Sequence, residues 1–324
     1  MRRVVLRMGL VLAVIASGLA GSAPTSARLA DLQADPQVCS DPDQSLSLFA
    51  EPLRDGRIGY GTAPGEATIP GPTIEMTEGE CIAVTLTNDA RRPVSMHSHG
   101  VDYTVASDGT PLNDSCVPPG RTRTYFFQAH FPATRADGTI DAGSAGYWHY
   151  HDHCMGTTHG TGGVNAGLFG AFVVRRAGDP EPDRTCVLVM IGTTFNLRKD
   201  PKTPRCTSNV GDRVEFVVIG HGDLFHTFHL HGHRWTDNRT GIPATLDDAA
   251  RLIDNKVVGP ADSFGFQVVA GEHVGPGAWM YHCHVQVHSD AGMSGIFVVR
   301  TEDGQLTPST RAALRAARHG SHAH

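Results

Sequence analysis

Short runs of β-branched and aromatic residues, each closed by Gly, Pro or Asp, set the rhythm of this chain. Four of them are Cys81-Ile82-Ala83-Val84-Thr85-Leu86, Thr122-Arg123-Thr124-Tyr125-Phe126-Phe127, Val214-Glu215-Phe216-Val217-Val218 and Gly295-Ile296-Phe297-Val298-Val299. Segments of that length and composition predict strands. The one helical signal is the Ala- and Arg-rich stretch Ser309–Ala317. An all-β sandwich architecture follows. Within a strand successive side chains point to opposite faces. In Trp279-Met280-Tyr281-His282-Cys283-His284 that rule sends His282 and His284 one way and Cys283 the other.

The 324 residues are enough for two domains of ordinary size, each with its own core. With 37 Gly and 20 Pro, the chain suits a turn-rich β protein better than a helical one. The formal net charge of −6 and the lack of clustered Lys and Arg argue against nucleic acid as a partner. Arg2, Arg3 and Arg7 precede an apolar stretch, Met8–Ala20, and small residues such as Ala23 and Ala27 follow it. This predicts a signal peptide over roughly residues 1–30 and export to an extracellular or periplasmic place, with no membrane anchor. Arg2-Arg3 fits twin-arginine export, although the residues around it match that signal poorly. An oxidising compartment makes disulfides of Cys39, Cys81, Cys116, Cys154, Cys186 and Cys206 reasonable, but six thiols allow fifteen connectivities. Cys154, three residues after His151, reads as a disulfide partner in preference to a buried thiol beside a metal.

The chemistry lies in four histidine clusters: His97-Ser98-His99-Gly100, His149-Tyr150-His151, His226-Thr227-Phe228-His229-Leu230-His231, and His282-Cys283-His284 with His288 and Met293 after it. One thiolate, two imidazoles and a weak axial thioether form a blue-copper electron-transfer site. The four signatures HxHG, HxH, HxxHxH and HCHxxxHxxxxM occur here in order, and in this the chain resembles the multicopper oxidases, specifically the small two-domain laccases. The resemblance runs from about Ser45 to Arg300.

The chain also repeats itself. His97-Ser98-His99-Gly100 matches His229-Leu230-His231-Gly232, and Gly167-Leu168-Phe169-Gly170 matches Gly292-Met293-Ser294-Gly295. Setting Tyr147-Trp148-His149-Tyr150-His151 against Met280-Tyr281-His282-Cys283-His284 places Tyr150 opposite Cys283, Val94 opposite His226 and Leu168 opposite Met293. None of those three first-half side chains can build a thiolate–copper site. Two cupredoxin-like Greek-key sandwiches in tandem are therefore expected, at 38–176 and 184–302, joined by a linker near Arg176–Asp183. A tail at 303–324 is expected to be disordered or partly helical, and its His319, His322 and His324 to lie free of the site.

The resemblance implies four coppers per chain. His226, Cys283, His288 and Met293 would hold type 1 copper, and His97 and His229 type 2. His99, His149, His151, His231, His282 and His284 would hold the type 3 pair. It further implies that Asp108 and Tyr103 lie beside the trinuclear cluster, as a proton relay and a reserve electron source, and places Asp254 near the blue-copper histidines. His153 and His159 read as residues outside the ligand set. Leu224-Phe225, where relatives carry tyrosines, removes phenols from the donor entry. The function implied is one-electron oxidation of phenols, aromatic amines or similar small donors, coupled to four-electron reduction of O2 to water. The implied assembly is a homotrimer with the trinuclear sites between subunits. The alternatives are a Cu(I) or Fe(II) oxidase, a copper nitrite reductase and a blue-copper electron carrier. The chain lacks the methionine-rich insert that a cuprous oxidase would carry, and a carrier would leave eight spaced histidines without a task.

Overall fold

The computed structural model describes residues 38–318. The expected signal segment and the histidines His319, His322 and His324 lie outside them. Among the described residues no helix is long and apolar enough to cross a membrane.

The first half contributes β1 (Gln44–Pro52), β2 (Ile58–Gly61), β3 (Ile74–Thr77), β4 (Cys81–Asn88) and β5 (His97–Ser98). There follow β6 (Thr122–Gln128), a small hairpin of β7 (Ala133–Thr134) and β8 (Ile140–Asp141), then β9 (Gly146–His151), helix α1 (Thr161–Ala166) and β10 (Phe169–Arg175). The second half has β11 (Arg184–Ile191), β12 (Thr194–Phe195), β13 (Arg205–Asn209), β14 (Arg213–His221) and β15 (His226–Leu230). It continues with β16 (Trp235–Thr236), β17 (Leu252–Ile253), β18 (Asn255–Val258), β19 (Ser263–Val269), β20 (Gly277–Cys283), helix α2 (Gln286–Asp290) and β21 (Ser294–Arg300). The four strands expected from the sequence are all present, and the Ala/Arg stretch forms helix α3 (Pro308–Arg318).

Each half is a sandwich of two sheets with one wiring plan. In the first, sheet order β2-β1-β4-β6 faces β3-β10-β9-β5; in the second, β12-β11-β14-β19 faces β13-β21-β20-β15-β18. The hand of pairing repeats too: β1 with β4 and β11 with β14 are parallel, while β9 with β10 and β20 with β21 are antiparallel. Leu48, Val84, Tyr125, Phe127 and Phe172 fill the first core, and Phe216, Phe228, Phe266, Tyr281 and Phe297 the second.

A third apolar layer joins the halves. Tyr147, Phe169, Ala171 and Val173 pack against Val189, Ile191, Val217 and Ile219. This explains why β10 is buried at every position and β14 at all but its first. Each strand feeds its own core with one face and the seam with the other, so its sequence reads as continuous rather than alternating hydrophobicity. The fully buried Glu215 interrupts the seam. It accepts from the two terminal Arg175 guanidinium nitrogens at 2.9 and 3.1 Å, while Nε goes to Glu75, and from the Tyr147 hydroxyl at 2.8 Å, so its charge is paired and bonded across the halves. The segment between β10 and β11 is tied down through Asp179, which receives Arg239 at 2.5 and 2.6 Å.

Three disulfides pair the remaining cysteines: Cys39 with Cys81, Cys116 with Cys154, and Cys186 with Cys206. Cys283 is the free, buried thiol.

Candidate metal centre

The thiolate pocket lies inside the second sandwich. Strand β15 brings in His226, the end of β20 brings Cys283, and α2 carries His288. Sγ of Cys283 lies 3.8 Å from His226 Nδ1 and 3.6 Å from His288 Nδ1, and the three donors fall within 4.8 Å of one another. First-row divalent metals bind imidazole at about 2.0 Å and thiolate at about 2.3 Å, so donors spaced like this suit one shared ion. Met293 is fully buried in the same core and closes the loop, its N–H donating to His288 and its carbonyl accepting from Cys283 N–H. Burial, then the neighbouring His288, pushes the His226 imidazole down to about 4, which keeps it neutral and free to ligate. His226 is wholly buried, so the exposed edge of this pocket belongs to the half-buried His288.

Two four-histidine sets lie outside that pocket and mirror one another. In the first half the ring centroids of His97 and His99 are 5.1 Å apart, those of His97 and His151 5.5 Å, and those of His97 and His153 5.0 Å. In the second half the corresponding separations are 4.9 Å for His229 and His231, 5.3 Å for His229 and His282, and 5.6 Å for His229 and His284. Nδ1 of His97, His151, His153, His229 and His282 each faces a backbone carbonyl at 2.7–2.9 Å. A carbonyl can only accept, so these nitrogens carry the proton and leave Nε2 as a lone pair for a metal. His99 Nε2 already lies 3.2 Å from His151 Nε2, a spacing that suits a shared ion. Burial lowers the imidazoles of His97, His99, His151, His231 and His282, His99 to about 4, so the donors are neutral near pH 7. The chemistry of both sets fits copper.

This geometry corrects the alignment of the two halves. Strand pairing sets His97 against His151 and His229 against His282, so His151, not His149, corresponds to His282. Asp152 N–H donates to the Leu168 carbonyl as Cys283 N–H donates to that of Met293. The residue in the cysteine position is therefore Asp152, not Tyr150. Tyr150 is the twin of Tyr281; their hydroxyls donate to the carbonyls of Pro72 and Pro204 at 2.7 and 2.5 Å. The fourth member of the first set is then His153, which had been read as lying outside it, while His149 stands opposite Met280. The sequence is ambiguous there because His149-Tyr150-His151-Asp152-His153 holds two overlapping HxH patterns. The signal that separates them was present: Trp148-His149-Tyr150-His151-Asp152-His153 lines up with Trp279-Met280-Tyr281-His282-Cys283-His284.

The multicopper oxidase family is matched over residues 65–179 and again over 179–303. The chain belongs to the multicopper oxidase family. A probable nitrite reductase-hydroxylamine oxidoreductase fusion protein of Kuenenia stuttgartiensis is 34% identical over 80% of this chain and 30% of its own length. Hephaestin of Rattus norvegicus is 26% identical over 74% of this chain and 23% of its own. The chain thus spans less than a third of the length of these curated relatives. Among solved structures, a blue copper oxidase from Nitrosomonas europaea aligns with a TM-score of 0.57 at 24% identity, covering 84% of this chain and 94% of that one. A copper nitrite reductase from the same organism aligns equally well, 0.57 at 19% identity, covering 79% and 93%. At such identities these two show the fold alone.

The remaining candidates of this multicopper oxidase fall around the histidine sets. Asp108 accepts His97 Nδ1–H through its carbonyl, and its carboxylate lies 3.6 Å from the same nitrogen. Thr110 and Asn113 hydrogen-bond that carboxylate. Tyr103 meets the His97 ring edge to face at 5.9 Å, and burial, then Asp108, raises its phenol. Asp254 was expected near the thiolate pocket. It instead takes His229 Nδ1–H on its carbonyl at 2.7 Å, as the twin of Asp108. His159 is exposed, 5.9 Å from the His153 ring. Leu224, Phe225 and Val287 are exposed beside His226 and His288 in the chain.

Proposed function

We propose that this protein is a laccase-like oxidase, which couples one-electron oxidation of phenols, aromatic amines or similar small donors to reduction of O2 to water. The observation that carries the reading is the pair of mirrored histidine sets, with Cys283 of the thiolate pocket sitting between two members of one set. The assigned ligands are His226, Cys283, His288 and Met293 for type 1 copper, and His97 with His229 for type 2. The type 3 pair takes His99, His151, His153, His231, His282 and His284, with His153 in place of His149. Copper held there supplies one-electron transfer at the thiolate and four-electron reduction of dioxygen at the shared cluster. The chain's own part is to accept the donor at the His288 edge and to connect it inward through Cys283 and the backbone to His282 and His284. Leu224, Phe225 and Val287 make that entrance apolar, which favours flat organic donors. Asp108 stands next to His97, where a carboxylate can take and give the protons that water formation requires.

The two domains, 38–176 and 184–302, each hold half of the cluster. Among the described residues no ring contact joins one set to the other, and His231 and His284 are exposed. A head-to-tail contact that closes as a ring completes the cluster between copies, hence a homotrimer. Ferroxidases among the relatives, such as ferroxidase HEPHL1 of Homo sapiens at 25% identity, keep a metal oxidase as the second reading. Copper analysis with oxygen uptake tests the proposal: at least about four coppers per chain and O2 consumption with phenols are expected, since the ligand sets require them. One copper per chain, or four with Fe(II) as the sole accepted donor, would overturn it. Mixing a His97→Ala/His99→Ala chain with a His229→Ala/His231→Ala chain should restore part of the oxygen uptake if clusters form between copies.

A further inference from the structure

Two buried imidazoles stand outside the mirrored pattern. His149 lies on β9 and is 0% exposed; His221 ends β14 and is 5% exposed. Their rings meet edge to face at 4.9 Å in the seam between the two sandwiches. Nε2 of each is buried and, among the described residues, has no hydrogen-bond partner. Native proteins rarely leave such atoms unmatched, and two side by side call for a shared occupant.

The tautomer of His149 is set from its other side. The Ser263 hydroxyl gives its proton to the Tyr147 carbonyl at 2.8 Å, so toward His149 Nδ1, 3.4 Å away, it can only accept. His149 Nε2 is therefore a lone pair, oriented through the second nitrogen as metal-binding histidines are. Both rings are buried, and the titratable groups around them are the histidines of the first set. Phe169 lies against His221 at 5.7 Å. With two imidazole nitrogens as donors, and the seam carboxylate Glu215 already paired with Arg175, a double charge would go uncompensated here, while a singly charged soft ion of low coordination number suits the place.

We propose that His149 and His221 hold one cuprous ion in this seam, a site additional to the thiolate pocket and the two four-histidine sets. It rests on the ligand assignment above only in lying outside it. The site adjoins the first set, since His149 stacks on His99 at 4.0 Å and His221 meets His151 at 5.1 Å.

The test is an anaerobic titration of the full-length apoprotein with Cu(I) buffered by bicinchoninate, comparing wild type with His149→Gln/His221→Gln. The double variant should bind one Cu(I) fewer per chain. His149→Met, which copies Met280 and keeps a soft donor, should retain the ion with weaker affinity. Wild-type crystals soaked in Cu(I) should show anomalous density between the two Nε2 atoms, a readout that needs no variant to fold. Equal counts for wild type and double variant, or a water at that place in the soaked crystals, would overturn the site. So would loss of two or more ions, which would make His149 part of the shared cluster. If the sets hold no copper at all, the total falls but the difference of one remains, so the two proposals fail separately.

Discussion

The same pocket occurs twice in this protein and is filled in opposite ways. In the second half His226, Cys283 and Met293 line it, with His288 supplied by the loop that follows. In the first half the equivalent places hold Val94, Asp152 and Leu168, all buried. Asp152 looks like a possible ligand, but its acceptor capacity is taken. It receives N–H from Ser95 and Met155 at 2.7 Å each and from Cys154 at 3.2 Å. Burial pushes this carboxyl up to about 6 in spite of those donors. The Cys283 sulfur, by contrast, faces two imidazole nitrogens, and among the described residues no backbone N–H donates to it. With backbone bonds alike on both sides, a few side chains decide whether the cavity presents a set of metal donors or a structural tie.

The largest expected effect comes from the seam that both halves share. Glu215→Ala leaves two Arg175 guanidinium nitrogens and the Tyr147 hydroxyl unpaired in the seam, with Glu75 still on the third nitrogen at 3.0 Å, and should cost about 3–5 kcal/mol of unfolding free energy, measured by chemical denaturation. A change below 1 kcal/mol would mean the halves do not depend on this pair. Next comes the filled pocket. Asp152→Asn keeps one side-chain oxygen for the buried N–H groups of Ser95 and Met155 but sets an NH2 against the other, and should cost about 1–3 kcal/mol. Asp152→Cys should not turn the first half blue, because Val94 and Leu168 offer no further donor; a thiolate–copper band there would break the comparison. Smaller still, Met293→Leu copies Leu168. The centre should stay blue with its reduction potential raised, since a thioether is a weak axial ligand. An unchanged potential in voltammetry would reduce Met293 to packing.

The smallest effect concerns the β7–β8 hairpin, which the second half replaces by a turn between Val269 and Gly277. His130 holds it, with Nδ1 2.7 Å from Asp102 and Nε2 2.9 Å from Asp141. Both nitrogens face carboxylates, and Asp141 first, then Asp102, raises the imidazole above its ordinary value. A raised histidine stabilises fully below the unfolded pKa of about 6.5, and its contribution fades as pH climbs through the folded value. Amide exchange in the hairpin, corrected for intrinsic rates, should therefore quicken as pH rises through and above that value, and His130→Gln should flatten the trend. A hairpin equally protected across that range would remove His130 from the account.

Much of this was legible in the chain itself. Strand segments, the duplication, the single thiolate and the loss of donors at Val94 and Leu168 depend on local alternation and spacing, which a sequence displays directly. The pairing of Cys39 with Cys81, Cys116 with Cys154 and Cys186 with Cys206 was not legible, because six thiols carry no record of which chain segments meet. Nor was the placing of Asp254 against His229, since a carboxylate's neighbour is chosen by strand pairing. The overlap at His149-Tyr150-His151-Asp152-His153 marks the boundary between the two kinds of knowledge. The sequence by itself determined that histidine donors would line that strand, because their identity and period are local. Only the tertiary structure decided that His151 and His153 complete the set while His149 turns into the seam toward His221. A shift of two residues keeps every side chain on its face, so alternation cannot choose between the registers; the match of Trp148 with Trp279 points to one, and the hydrogen bonds to β5 and β10 fix it.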